Sequence, residues 1–367
     1  MERMYPDYEN CTANFACSIL KEFQVEEIPN PTLEAADRLL EKSHENIVVI
    51  LLDGMGINVL KHNLDPHGFF NRHLAVSYQS VFPSTTVAAT TSMDSGLFPC
   101  QHGWLGWDCY FKELDKNVSV FLNTESATAI PAADYHVVSH FLPYKSVIDR
   151  IREAGGQAYR VTPFVWPRPQ SFEAICQLVE DVCRQKGKKY VYAYWNEPDG
   201  TMHKTGCYSD EARRTVRKLE EQVEKLCSRL TDAQIFITAD HGHVDSNGAV
   251  ISDYPKIMEC LVRMPSIEPR ALNLFVKKGW ERQLEHEWKK AFGDRFLLLT
   301  REEVRKKQLF GTGEERAYVD GMLGEYLAVA VSDLTIYNTR EEKERFIGVH
   351  AGLLADEMRV PLIAAER

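Results

Sequence analysis

The chain has 367 residues, 44% hydrophobic and 26% charged, an ordinary globular composition with length for one large domain and a lobe inserted into it. Acidic residues outnumber basic ones by 53 to 43, a net charge of −10, which argues against holding long nucleic acid or an anionic membrane by bulk electrostatics. A small phosphorylated ligand stays open, because a local metal site overrides the global sign. Nine cysteines without regular spacing, no signal-like N-terminus and no run of about 18 apolar residues predict a cytoplasmic protein with no membrane span.

The first 45 residues carry no motif. "NIVVILLDG" (46–54) is nearly continuous in Ile, Val and Leu, as a strand covered on both faces should be. "YKSVIDRIREAGG" reads as a helix with a Gly pair to stop it, and "FEAICQLVEDVCRQKGKK" as a second helix running into the strand "YVYAYW" (190–195). In "SDEARRTVRKLEEQVEKLCSRL", Ser209 caps a third helix whose Val216, Leu219, Val223, Leu226 and Leu230 step by three and four. The strand "IFITAD" follows. This alternation predicts an α/β fold, a mostly parallel central sheet with helices on both faces. After about residue 250 the rhythm changes to a smaller α+β lobe, and "VPLIAA" near the C-terminus offers a last core strand. The expected division is an N-terminal segment 1–45, a core 46–250 and 346–367, and an inserted lobe 251–345.

Ligands of open α/β sheets bind beyond the carboxyl ends of the strands. Asp53 follows the first strand. Asp199 follows "YVYAYWNEP", with His203 four positions on, a spacing that shares one face if the segment is helical. Asp240 and His241 follow "IFIT", and His350 sits where the chain re-enters the core. Singly, each is more often a cap, turn or core residue. Jointly, three carboxylates and three imidazoles form the mixed sets that a borderline cation such as zinc accepts, and two such sets make a dinuclear site. His243 and Asp245 have no clear direct role.

A nucleophile candidate lies in "SVFPSTTVAATTSMDSGLFPCQHG" (80–103). Pro83 ends the preceding run, Ser84 or Thr85 caps a helix, and Thr86 falls in its first turn, at the positive end of the dipole. Metal coordination would make such a hydroxyl an alkoxide nucleophile at neutral pH. Without the metal set, these residues would be read only as caps and helix lining.

The order Asp53, "PSTT…SGLFPCQHG", "DGTMH", "ADHG" and "GVHAG…MRVP" resembles the alkaline-phosphatase superfamily, most closely its type I phosphodiesterase/nucleotide pyrophosphatase branch, over roughly 46–250 and 346–367. The resemblance implies an alkaline-phosphatase-like core and selects Thr86 over Thr85 as the nucleophile. It implies one divalent ion on Asp53, Thr86, Asp240 and His241 and another on Asp199, His203 and His350, with zinc preferred and manganese or iron accepted by the same ligands. The implied activity is a two-metal phosphodiesterase or nucleotide pyrophosphatase acting through a phospho-threonine intermediate on a small substrate such as a nucleotide. A phosphomonoesterase or phosphonate hydrolase is the alternative within the superfamily, and a non-catalytic metal-dependent binding protein the alternative outside it.

Two positions depart from the family pattern. Trp107 stands where the family usually has an asparagine contacting a phosphoryl oxygen, and Ala351 where it usually has a glycine. A sulfatase is excluded, since Cys100 lacks the proline and arginine of that signature. Trp104, Trp107, Tyr110 and Phe111 form an aromatic run; Trp107 and Tyr110 are its candidates for stacking a substrate base. Arg270, Lys277 and Lys278 of the lobe are candidates for capping the site.

Overall fold

A computed structural model describes residues 1–126, 128 and 130–367. Its central sheet has six strands in the order Leu74–Gln79, Arg359–Glu366, Ala233–Thr238, Asn46–Leu52, Lys189–Trp195, Gln157–Val161. Asn46–Leu52 is buried at every position and pairs in parallel with Lys189–Trp195 and Ala233–Thr238. The C-terminal strand Arg359–Glu366 runs antiparallel to both its neighbours, so the sheet is mostly parallel. The expected "VPLIAA" strand is this one.

The crossover helices form where the apolar periodicity predicts them, at Val147–Glu153, Phe172–Cys183 and Asp210–Cys227. Each is capped by a serine, Ser146, Ser171 or Ser209, whose hydroxyl accepts a first-turn N–H. In the longest, Val216, Leu219, Val223 and Leu226 are the buried stripe. The N-terminal stretch is built into the core: in the helix Thr12–Glu22, Phe15 packs edge-on against Phe236 of the sheet, and the Cys17 thiol donates to the Gly96 carbonyl.

A second, antiparallel sheet has seven strands in the order Phe296–Thr300, Tyr326–Ala330, Ala271–Leu274, Ser266–Glu268, Asp108–Phe111, Lys116–Ser119, Thr124–Glu125. The pairing of Ile267 with Asp108 joins its halves. The lobe strands of 251–345 therefore continue into strands from 108–125. Arg270 fastens this sheet to the core. Its guanidinium forms a two-pronged pair with Glu357 at 2.7 and 2.8 Å, both side chains fully buried. The Glu357 carboxylate also accepts from the amides of Gly352 and Leu354, holding the turn that follows His350. Arg270 is thus spent on architecture, and Lys277 is tied to the Glu259 carbonyl.

Among the described residues no helix is long and apolar enough to cross a membrane.

Candidate active site

Three neighbouring strands deliver three of the site's segments. Register pairs Leu52 with Trp195 and Leu51 with Thr238, so the chain leaves all three strands at one level of one rim. Asp53 follows the first. Asp199 opens the helix Asp199–Thr205, so the expected helical spacing to His203 is realised, with His203 Nε2 3.2 Å from Asp199 Oδ1. Asp240 and His241 follow the third. Two glycines permit the close approach: Gly54, at φ +73°, lies where a Cβ would strike His243 and Asp199, and a Cβ on Gly242 would fall 2.0 Å from the Asp356 carbonyl oxygen.

Thr86 begins the helix Thr86–Ser95, with Thr85 at the capping position. Thr85 does not cap it with its side chain. Its hydroxyl donates instead to Glu268 Oε1 at 2.7 Å, and the Ser84 hydroxyl donates to the Gly352 carbonyl. The motif after the helix is a clamp: the fully buried His102 bonds the Ser92 hydroxyl through Nε2 and accepts the Trp104 amide at Nδ1. Burial holds this imidazole neutral, pushing it down to about 3.

Around His241 Nε2 lie Thr86 Oγ1 at 3.2 Å, Asp53 Oδ1 at 3.3 Å and Asp240 Oδ2 at 3.5 Å. Vertices of a tetrahedron about 2.0–2.1 Å in radius are separated by about 3.3–3.4 Å, so the distances from His241 Nε2 to the other three are of the length that separates zinc ligands. Asp240 Oδ2 is buried with no hydrogen-bond partner among the described residues, an orphan that a cation would satisfy. Its other oxygen accepts from the amides of Gly54 and His241. Desolvation and repulsion from Asp53 push the Asp240 carboxyl well above the usual range. Desolvation would lower His241, but Asp240 and Asp53 override it and raise the imidazole to about 10. The site strains to gain positive charge. A cation bound here would supply it.

The second group adjoins the first, with Asp53, Asp199 and His241 offering donor atoms within 4.8 Å of one another. His350 stacks on His241 at 3.7 Å between ring centroids, and its Nε2 is 3.8 Å from Asp199 Oδ1. It arrives through a short ribbon in which Val349 pairs with Val244. His203, His241 and His350 each have Nδ1 against a backbone carbonyl, of Gly348, Gly242 and Ser84. That backing leaves Nε2 free to face an ion, the usual dress of a metal-binding histidine. Burial alone would raise Asp199, yet His203, His243 and His350 hold its carboxyl far below the usual range. All seven expected ligands thus converge, and both donor sets fit divalent cations.

Three residues without a role in the sequence reading also belong here. His243 donates from Nε2 to Asp199 Oδ1 at 2.6 Å, a hydrogen-bond length too short for two ligands of one ion, while its Nδ1 is buried and unpartnered among the described residues. The i, i+2 spacing from His241 was its signal, since alternate residues of an extended chain share a face. The Tyr194 hydroxyl donates to Asp53 Oδ2, leaving Oδ1 toward His241. Glu268, reached only through the second sheet, carried no local signal.

A cavity of about 620 Å³ opens over these residues, lined by Thr85, Thr86, Trp107, Asp199, His203, Glu268 and His350 among others. Of the aromatic run, only Trp107 lines it. Tyr110 is turned away, its ring against Phe275 and under the Arg263 guanidinium, and its hydroxyl on Asp115. Trp104 is buried on the Leu142 carbonyl, and Phe111 packs against Phe141. The Cys100 thiol is pushed up to about 12 by burial, which removes it as a nucleophile.

Residues 47–264 match the family described as type I phosphodiesterase / nucleotide pyrophosphatase. The chain belongs to this family. It is a branch of the alkaline-phosphatase superfamily whose members are phosphoryl-transfer hydrolases. Murine ectonucleotide pyrophosphatase/phosphodiesterase 5, in an inactive form with AMP, superposes with a TM-score of 0.68 at 17% identity, covering 89% of this chain and 88% of that one. The human counterpart gives 0.65 at 17% identity, with 87% of each chain covered. Phosphonoacetate hydrolase from Sinorhizobium meliloti, with phosphonoformate, gives 0.64 at 15% identity, covering 88% of this chain and 90% of that one. At such identities the likeness is one of fold. No curated protein matches the chain in sequence.

Against the phosphodiesterase pattern, both departures acquire a structural meaning. Ala351 adopts φ +90°, the left-handed region that explains a glycine at this position and that strains an alanine. Trp107 is 40% exposed at the cavity wall, and its amide donates to Glu268 Oε1 at 2.8 Å, so the asparagine's place is taken by a ring and a buttressed carboxylate.

Proposed function

We propose that the protein is a two-metal hydrolase of phosphodiester or nucleotide pyrophosphate bonds, with Thr86 as the nucleophile. The observation that carries this reading is the position of Thr86 Oγ1, at the start of a ten-residue helix on the cavity wall, 3.2 Å from His241 Nε2 and 3.5 Å from Asp53 Oδ1. Asp53, Thr86, Asp240 and His241 would hold one ion, and Asp199, His203 and His350 the other. Zinc suits the mixed oxygen and nitrogen donors, and manganese or iron are the alternatives. When bound, such ions act as Lewis acids on phosphoryl oxygens and lower the pKa of a coordinated hydroxyl or water.

The chain's own residues prepare the rest. Tyr194 and the backbone amides on Asp240 fix the two carboxylates, so Thr86 meets a rigid set of donors. The helix start favours negative charge on Thr86 Oγ1 as its proton leaves. Attack of Oγ1 on phosphorus forms a phospho-threonine as the P–O bond to the leaving group breaks, and the proton lost from Oγ1 ends on the departing alcohol or phosphate through solvent. Water then cleaves the phospho-threonine and restores the hydroxyl. Positioning and charge neutralisation supply most of the rate.

The cavity, closed in by strands of the second sheet, accommodates a small phosphorylated substrate such as a nucleotide, with Trp107 as the wall it meets. We take 46–250 and 346–367 as the catalytic unit. We also assign the protein to the cytoplasm, since its nine cysteines are free thiols and eight are buried. The fold shared with phosphonoacetate hydrolase favours a phosphonate or phosphomonoester as the second reading.

The test is a panel of diesters, nucleotides, monoesters and phosphonates with zinc- or manganese-loaded protein, run beside elemental analysis. Turnover of bis-p-nitrophenyl phosphate that Thr86→Ala abolishes supports the proposal. Metal retention without turnover of any ester or phosphonate favours a binding protein instead.

A further inference from the structure

One carboxylate, Glu268, lines the cavity wall beside Thr85 and Thr86. Glu268 ends the strand Ser266–Glu268, where the pairing of Ile267 with Asp108 brings the lobe against the segment following the nucleophile helix. One of its oxygens, Oε1, takes both the Thr85 hydroxyl and the Trp107 amide. The side chain is thereby anchored between the residue preceding the nucleophile and the residue replacing the family asparagine. Both of its hydrogen bonds fall on that one oxygen, leaving the second without a partner among the described residues, and the residue lines the cavity.

The neighbouring charges do not neutralise it. Asp108 and Glu342 line the same cavity, and both carboxyls are pushed up by burial. Of the basic side chains around the cavity, Arg270 is consumed by Glu357, while Lys204 and Arg345 are exposed. No lysine or arginine bonds Thr85, Thr86, Trp107 or Glu268 among the described residues. Hydrolases of this superfamily that take phosphomonoesters must hold a dianion. Here Trp107 stands where the family has an asparagine that donates to a phosphoryl oxygen, and the carboxylate held beside it by the Trp107 amide only accepts once ionised.

We propose that Glu268 is a specificity-determining residue, whose charge makes the site select a monoanionic phosphoryl centre, as in a phosphodiester or the internal phosphorus of a nucleotide pyrophosphate, over a dianionic phosphomonoester. This rests on the hydrolase reading above and narrows its substrate class. A dianion meets one more unit of repulsion from Glu268 than a monoanion does. At cavity distances and an intermediate dielectric, one unit charge is worth roughly tenfold or more in relative affinity.

Glu268→Gln separates charge from tethering, because its amide oxygen still accepts from Thr85 and Trp107. The readout is the ratio of kcat/KM for p-nitrophenyl phosphate to that for bis-p-nitrophenyl phosphate, at about pH 8.5, above the value of about 7 to which burial lifts this carboxyl. The expected result is a rise of roughly tenfold in that ratio. A second measurement reads binding without turnover: calorimetric titration of both esters into metal-loaded Thr86→Ala, with and without Glu268→Gln, where only the monoester should tighten. An unmoved ratio in an active enzyme, or equal changes for both esters in the titration, overturns the role of Glu268 and leaves the hydrolase reading intact. Wild-type protein inert toward both esters sinks the hydrolase reading, and the titration still decides the charge preference.

Discussion

The two donor groups share a rim but solve the problem of charge differently. Around His241, two buried carboxylates and the half-buried Thr86 hydroxyl surround one buried imidazole, and Asp240 keeps an oxygen with no hydrogen-bond partner among the described residues. Around Asp199, one carboxylate is served by His203, His243 and His350, and its side chain is 15% exposed. The first group is short of positive charge and the second is nearly self-sufficient. A binding site built from excess carboxylate is paid for in the empty protein and returned when the cation arrives, whereas one built from imidazole is stable either way. The Asp53–Asp240 side should therefore depend on metal the more strongly.

The largest expected effect sits where the groups meet. Thr86→Ala should lower kcat/KM for an aryl phosphodiester by about a thousandfold or more, while Thr85→Ala costs much less. Equal losses from the two would place the nucleophile elsewhere. The charge contrast itself predicts opposite signs. In metal-stripped protein, Asp240→Asn should raise stability by about 1–3 kcal/mol, and Asp199→Asn should lower it by a similar amount. Urea denaturation of both variants reads this directly, and shifts of the same sign would end the comparison.

The pH dependence follows from the same carboxylates and imidazoles. Asp240 and His241 are both raised in the fold, so the stability they contribute is complete at low pH and lost as pH rises. For His241 the loss runs from its ordinary value of about 6.5 to about 10. Asp199 is depressed, so its contribution persists across that window and vanishes only in acid. Stripped protein should thus melt progressively lower from about pH 6.5 to about 10, with the decline abolished by saturating zinc.

Smaller changes sharpen the picture. Tyr194→Phe removes the donor on Asp53 Oδ2 and should weaken metal retention about tenfold in a chelator competition, since groups that orient ligands carry that much of the affinity. Ala351→Gly relieves a left-handed backbone and should add about 1 kcal/mol without moving the metal stoichiometry. A loss of stability there would show that the alanine methyl packs better than its backbone is strained.

Much of this molecule is written in local pattern. Seven metal-site candidates each stand after a strand or inside a short recurring motif, and strand ends can be read from apolar runs. His243 was legible in principle from its two-residue spacing to His241. Tyr194 was not, because its link to Asp53 depends on the register between two strands far apart in sequence. Tyr110 looked equivalent to Trp107 along the chain, but the second sheet turns one ring toward Phe275 and leaves the other at the cavity.

Sequence alone determined the α/β alternation and the rim on which candidate residues collect, because both follow from periodicity and strand ends, whereas the choice of Thr86 over Thr85 rested on the family resemblance. Only the tertiary structure decided how that chemistry is tuned. The partners of Asp53, Asp199 and Thr85 come from elements 33 to 183 residues distant, and pairing across such distances is set by packing of whole sheets, which no short stretch of sequence encodes.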